Sequence, residues 1–99
     1  MRIVTSPEVL AFVRANGGCL WVWPVDLRYV PGLEGVFALE AAFEPPGPER
    51  RFARFAGEGI EVFVDGESRG LPRELHLELR GIVRKRVRAY WEGHSFGRA

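Results

Sequence analysis

The first apolar positions of the chain have the spacing of a helix. Val9 and Val13 lie four residues apart with Leu10 beside them, so they share one helical face. Ser6 precedes them and is followed by proline and glutamate, which together make a favourable helix start. Asn16 is followed by two glycines, which readily adopt the left-handed conformation that ends a helix. The pattern predicts a helix from about Ser6 to about Asn16.

The next two apolar runs have the composition of strands. Residues 20–23 are strand formers, and we expect Pro24 to stop the strand. Because both faces of this run are apolar, it is expected to be an interior strand that the helix covers on one side. Residues 25–35 are expected to form a loop, and residues 36–43 predict the next strand.

The middle of the chain predicts a loop, a weak strand and a well-marked strand. Residues 44–49 contain three prolines and cannot continue a ladder, so they predict an exposed loop. Residues 51–55 are a weak strand candidate, and residues 57–59 predict a turn. Residues 60–65 have the alternating pattern of a strand, so Ile60, Val62 and Val64 are expected to face the core.

The stretch 72–91 fits either a helix or a β-hairpin. A helix would place leucines and valines four residues apart, beginning with Leu75 and Leu79. A hairpin would alternate apolar with polar residues along two arms. Gly81 would destabilise a helix by roughly 1 kcal/mol but suits a turn, and the second arm is rich in β-branched and aromatic residues. The hairpin is favoured, and the helix stays the alternative.

Together these elements predict an α+β fold. One N-terminal helix is followed by five or six mostly antiparallel strands, in a single layer or a small sandwich. The 99 residues suffice for one hydrophobic core without disulfide staples. The sequence contains no repeat and no linker-like break, so residues 1–99 are expected to form a single globular domain.

Composition narrows the class of protein. The formal charge of +1 gives no general attraction to nucleic acid or membranes. Cys19 is the only cysteine, which excludes an intrachain disulfide and fits a reducing cytoplasm. No run approaches the ~20 apolar residues of a membrane span. We therefore expect a cytoplasmic protein with no membrane partner. The near absence of asparagine and glutamine suits a thermophile, while arginine in place of lysine, with abundant alanine, glycine and proline, is equally typical of a GC-rich genome.

One segment resembles a known family. Gly59 to Ser68 reads GIEVFVDGES, a glycine before a strand that ends in Val-Asp, with a serine shortly after. This segment is similar to one in the A-type carriers of iron–sulfur cluster assembly, the HesB-like family. The helix start at Thr5 to Leu10 and the leucine-rich strand at Leu75 to Leu79 resemble that family in their order. The resemblance implies the family's fold.

The family's cysteine ligands are missing from this chain. Family members carry one cysteine after the first strand and a Cys-Gly-Cys-like pair near the C-terminus. Here residues 93–97 contain no thiol, and Cys19 lies before its strand instead of after it. No ligand position can be carried over. The resemblance therefore implies a HesB-like fold that has lost cluster binding.

The thiol and the histidines do not form a recognisable metal motif. Cys19 follows the end of the predicted helix, where the dipole does not activate a thiolate, so it is expected to be a small buried hydrophobe. His76 and His94 could in principle join it in a zinc site, but paired ligands at short spacing are absent. His76 is expected to face outward on a strand. No metal and no cofactor is predicted.

Aromatic and basic residues are the remaining candidates for binding. Trp21 and Trp23 are expected to fill the core, which leaves Trp91 as the tryptophan best suited to binding. On a hairpin, Arg84 and Lys85 would lie at the turn. The candidate residues for binding a partner or nucleic acid are Arg80, Arg84, Lys85, Arg86, Arg88, Tyr90 and Trp91. The alternative is a solvated face whose charge is neutralised by Glu61, Asp65, Glu74 and Glu78.

No combination of residues points to catalysis, so the protein is not expected to be an enzyme. The leading hypothesis is a protein-interaction or adaptor module, with a homodimer joined along an edge strand as a natural form. The second is single-stranded nucleic-acid binding through the Arg80–Arg88 cluster. The third is an iron–sulfur or metal carrier in which Cys19 acts across a dimer.

Overall fold

The described part of the chain contains one helix and seven strands. It comprises residues 2–26, 31–32, 37–48, 50–65, 73–81 and 84–91 of a computed structural model. In chain order the elements are β1 (Arg2–Val4), α1 (Pro7–Ala15), β2 (Cys19–Asp26), β3 (Phe37–Ala42), β4 (Ala53–Gly57), β5 (Ile60–Val64), β6 (Glu74–Arg80) and β7 (Arg86–Trp91).

The helix begins and ends where the sequence predicts. The Ser6 hydroxyl accepts a hydrogen bond from the Val9 N–H at 3.3 Å, and Pro7 occupies the first turn. At the other end the Asn16 side-chain amide donates to the Phe12 carbonyl at 2.8 Å. Capping at both ends satisfies backbone groups that have no partner within the helix. The prediction of this helix is confirmed.

The strands form two sheets with mixed pairing. In the four-stranded sheet the order is β3-β2-β5-β4, with β2 antiparallel to β3 and parallel to β5. In the three-stranded sheet the order is β1-β6-β7, with β1 parallel to β6 and β7 antiparallel to it. Three of these five pairings are antiparallel. The fold is α+β and consists mostly of sheet.

Both sheets and the helix bury their apolar faces in one core. Val9 and Val13 of α1 lie against the inner face of the four-stranded sheet, represented by Leu20 and Val62, and against Leu75 of the three-stranded sheet. All of the largest fully buried side chains in the described residues are aliphatic: Leu20, Leu75, Val9, Val13, Val22, Val62 and Val64. The outer faces of the two sheets carry polar and aromatic side chains of the strands.

A strand precedes the helix, and this corrects the predicted element order. The three residues of β1 are too few to show an alternating pattern, so the prediction began with the helix. They form a strand because they align in parallel with β6, with Ile3 opposite Leu75. The Arg2 N–H also donates to the Arg73 carbonyl at 2.9 Å. The described strands therefore number seven, where the prediction had five or six.

The first predicted strand does not stop at its proline. β2 continues through Pro24, which lies opposite Leu39 of β3, to Asp26. On the other side, the pairing of β2 with β5 ends at Val22, whose carbonyl still accepts from the Asp65 N–H at 3.0 Å. Pro24 shares the backbone orientation of Val22 but lies beyond the end of that ladder, so its missing N–H removes no hydrogen bond.

The hairpin interpretation of residues 72–91 is confirmed, since β6 and β7 pair antiparallel from Leu75–Trp91 to Arg80–Arg86. The alternating strand at 60–65 is also confirmed, because β5 buries Ile60, Val62 and Val64. The weak candidate at 51–55 is displaced by two residues, to Ala53–Gly57. Here the two-residue turn to β5, and not the apolar pattern, sets the register.

We expect Glu58→Asn to stabilise the fold. Glu58 is the only non-glycine residue with a positive φ among those described (53°), and Gly59 follows at 84°, so the two form the left-handed turn that favours Asn-Gly. The left-handed conformation is less costly for asparagine, so the free energy of unfolding should rise by about 1 kcal/mol. Urea unfolding measures the change. The same replacement at exposed Glu44 is the control, and an equal gain there would contradict the assigned turn.

Candidate functional site

The outer face of the β6–β7 hairpin brings most of the predicted binding residues together. Arg86, Arg88 and Tyr90 alternate along β7 with the buried residues Val87 and Ala89. On β6, the residues opposite them are Arg80, Glu78 and His76. Because cross-strand partners share a face, these six side chains form one polar surface.

The arginines are concentrated at one end of the hairpin. Arg80 lies directly opposite Arg86, and Arg84 and Lys85 are exposed in the residues that connect the strands. The Arg80 guanidinium has a carboxylate neighbour, with its Nη2 atom 2.7 Å from Oε1 of Glu78. We call Arg80, Arg84, Lys85 and Arg86 the basic end. Like charges directly opposite each other destabilise a sheet, and the Glu78 carboxylate offsets part of that cost at Arg80.

The acidic residues only partly match the predicted neutralisation. Glu74 and Glu78 lie on the same outer face, and Glu74 pairs with Arg2 of β1 at 2.7 Å. The other two acids belong to the four-stranded sheet, where Glu61 pairs with Arg54 and Asp65 pairs with Arg50. The prediction that these two neutralise the hairpin is wrong, because the tertiary structure places them on a different sheet.

An aromatic pair lies in the middle of the outer face. The rings of His76 and Tyr90 stack at a centroid distance of 4.9 Å and an interplanar angle of 8°. The Tyr90 hydroxyl donates to Oε2 of Glu78 at 3.2 Å, while Nε2 of His76 lies 3.3 Å from Oε1 of Glu74. Burial raises the pKa of Tyr90, and the negative charge of Glu78 raises it further. His76 faces outward, as predicted.

Of the two remaining candidate residues, Trp91 and His94, only Trp91 lies within the described part of the chain. The backbone of Trp91 pairs with Leu75 at the opposite end of the hairpin from the basic end. His94 lies outside the described residues, so its proposed part in a zinc site stays a prediction.

The tryptophans of β2 occupy a second surface that the sequence interpretation missed. Trp21 and Trp23 are half-buried and lie on the face of the four-stranded sheet that points away from the core. The Trp21 ring stacks on Phe63 of β5, with centroids 4.9 Å apart and planes 11° from parallel. The expectation that they fill the core is wrong, because the helix covers the Leu20 face. Period-two alternation of β2 had already separated these two faces.

Cys19 is half-buried on that same outer face, and its thiol lies 3.8 Å from Oε2 of Glu61. No group of three or more histidine, cysteine, aspartate or glutamate residues in the described ranges is arranged to hold a metal ion. Metal carriage by Cys19 across a dimer stays a prediction.

A cleft of about 470 Å³ lies between residues of the two sheets, beside the edge strands β1 and β4. β1 borders it on one side and β4 on the other, and Leu10 of α1 also lines it. The sequence interpretation missed this cleft because one of its walls, β1, was not predicted.

Comparison with known proteins adds no relative: no family model, no curated protein and no solved structure matches this chain. The resemblance of Gly59 to Ser68 to the HesB-like family therefore stays a prediction. None of the helices in the part of the chain that the structure describes has the length and apolar character needed to cross a membrane.

We expect Arg86→Gln to stabilise the protein by about 0.5 kcal/mol, because it relieves the repulsion from Arg80 across the strands. Urea unfolding at low ionic strength measures the change. Arg84→Gln is the matched control, since Arg84 is equally charged and exposed but has no residue opposite it in the ladder. The gain of Arg86→Gln should vanish in 1 M salt, where the Debye length falls to about 3 Å. A gain that persists in high salt would contradict this account.

We expect Tyr90 to titrate above the ordinary tyrosine pKa of 10.0, and Glu78→Gln to lower its pKa. Ultraviolet difference absorbance in a Tyr29→Phe background isolates the Tyr90 signal, and Glu74→Gln serves as the control. Because the folded pKa is the higher one, the stability linked to Tyr90 is complete below pH 10 and declines as the pH rises through the folded pKa. An unchanged pKa in Glu78→Gln would contradict the contribution of that carboxylate.

Proposed function

We propose that this protein is a non-enzymatic interaction module that binds an acidic protein partner through the basic end. The observation that carries the proposal is the placement of Arg80 directly opposite Arg86 on an exposed outer face. Arg84 and Lys85 add two further exposed cations in the connecting residues. We infer that the module acts in the cytoplasm, as the absence of an intrachain disulfide suggests.

The energetics of the basic end favour an anionic partner. Arg80 and Arg86 are like charges at directly opposite positions, and a partner's carboxylate between the two guanidinium groups would lower the repulsion that the Glu78 carboxylate leaves between them. Arginine presents several donors in a planar fork, which suits carboxylates better than the single ammonium of lysine does. Exposed charges of this kind act mainly on the rate and specificity of association.

The rest of the outer face favours a protein over a nucleic acid. Glu74 and Glu78 lie beside the His76–Tyr90 stack, where their negative charges would repel a phosphate backbone. A surface of alternating charges suits a protein partner, whose own rim carries both signs. A phosphate backbone presents only negative charge.

Single-stranded nucleic acid is the second candidate, and the aromatic stack is the observation that favours it. The ring of Tyr90 lies on the same face as Arg86 and Arg88. Aromatic rings next to cations are the elements of single-strand binding grooves. In this case the carboxylates of Glu74 and Glu78 limit affinity, and binding is expected to be weaker than to an acidic protein.

We expect the variant Arg84→Gln/Arg86→Gln to bind its partner about tenfold more weakly. Each exposed pair contributes up to about 1 kcal/mol, so the loss of two arginines reaches that factor. Partners captured from the source cells by the wild-type protein are purified, and their dissociation constants are measured by calorimetry at 50 and 300 mM salt. The wild-type affinity should fall with salt, and the affinity of the variant should depend on salt much less.

Arg51→Gln is the matched control for a single exposed charge, because Arg51 lies outside the hairpin. A 20-nucleotide single-stranded DNA is tested in parallel. Equal binding by the wild-type and double-variant proteins would contradict the proposal. Tighter binding to the DNA than to any captured protein would favour the second candidate.

A further inference from the structure

The cleft between the sheets is bordered by two strand edges. Four consecutive residues of β4, 54–57, line it, as do the consecutive residues Arg2 and Ile3 of β1. Successive residues of a strand point to opposite faces, so a consecutive run can line a cleft only along the edge of its strand. Within the described residues β4 pairs only with β5, and β1 pairs only with β6. We call this cleft the edge slot.

The turn that joins β4 to β5 identifies which backbone groups face the edge slot. Gly57 and Ile60 flank the two-residue turn, so they form a hydrogen-bonded pair. Gly57, and with it Phe55 two residues earlier, directs its N–H and C=O toward β5. Arg54 and Ala56 therefore direct theirs away from β5, along the open edge. Two donors and two acceptors of the backbone are available there for another strand.

The floor of the edge slot is apolar. Ile60 and Val62 are buried core residues, and Ile3, Leu10 and Phe55 are half-buried around them. An extended peptide places every second side chain on one side. A peptide paired with β4 can therefore set alternate aliphatic side chains on this floor while its backbone bonds the edge, which is the combination used in strand addition.

We propose that the edge slot binds one extended segment of a partner protein, added as a strand beside β4 with aliphatic residues at alternate positions. The volume of about 470 Å³ lies within the range of pockets that enclose a ligand. This site is distinct from the basic end, and the proposal does not depend on the proposed function.

A second folded copy of the chain is a poorer occupant than a single segment. The edge slot has β1 on its far side, so whatever pairs with β4 is bounded by another strand. A folded copy that offers its own edge brings the remainder of its sheet behind that edge, and this sheet would meet β1. A lone segment has no neighbours of its own. Its side chains can also contact Ile3 of β1.

The test uses two peptide pools and the intact protein. One pool contains heptapeptides with valine, isoleucine or leucine at alternate positions and threonine between them. The other pool has the same sequences except that the central residue is proline, which interrupts strand pairing. We expect saturable binding of the first pool only. Amide chemical shifts should change at Ala56, Gly57 and Ile3 and stay constant at Arg84 and Arg86.

Ala56→Pro is the diagnostic variant, because it removes a donor that faces the edge slot and breaks no bond to β5. We expect it to weaken peptide binding about tenfold, the effect of losing one hydrogen bond. Ala56→Thr keeps the N–H and should bind as the wild type does. Thermal unfolding verifies that both variants fold. N-methylation of alternate peptide amides should abolish binding without any change to the protein.

The proposal is overturned if the alternating pool does not bind, or if its shifts map outside the edge slot. Equal affinity for N-methylated peptides would also overturn it. Dimerisation of the wild-type protein that Ala56→Pro abolishes, measured by sedimentation, would assign the slot to a second copy instead. Because the Arg84→Gln/Arg86→Gln variant should bind these peptides normally, the two proposals fail independently.

Discussion

α1 packs against the inner faces of both sheets and thereby joins them into one fold. Val9 and Val13 contact a core to which β2 and β5 contribute on one side, and β6 and β7 on the other. Without this shared core, neither a three-stranded nor a four-stranded mixed sheet buries a complete apolar face. The core is aliphatic, and the aromatic rings that contact it, such as Phe12 and Phe55, lie at its margin.

This packing decides which surfaces remain for binding. One face of each sheet packs in the core. Because successive residues of a strand point to opposite faces, the charged and aromatic groups that alternate with core residues lie on the outer face. The arginines of the hairpin and the Trp21–Phe63 stack lie outside the core for this same reason, on different sheets. Arg80 and Arg86 can lie opposite each other because the core, and not the outer face, stabilises the hairpin.

The order of strands explains the edge slot in similar terms. β2 and β5 lie in the interior of their sheet and β6 in the interior of the other, so the edge strands are β3 and β4 in the first sheet and β1 and β7 in the second. The helix connects β1 to β2, and the edges of β1 and β4 border the same cleft. Edge strands in many proteins carry lysine or proline that prevents pairing. β4 has neither, and its arginine is already paired with Glu61.

Elements with local signals could be predicted from the amino-acid sequence. The Ser6 cap and the glycines after Asn16 bounded the helix, and alternation identified β5 and the hairpin, including which hairpin residues face outward. Features that depend on a partner distant in sequence could not be predicted in this way, because they follow from the packing of the whole chain. β1 is a strand because β6 offers it an edge, and β2 passes Pro24 because β5 has already ended there. The tryptophans lie outside the core because a helix can cover only one of two apolar strand faces, and local pattern carries no information about which one.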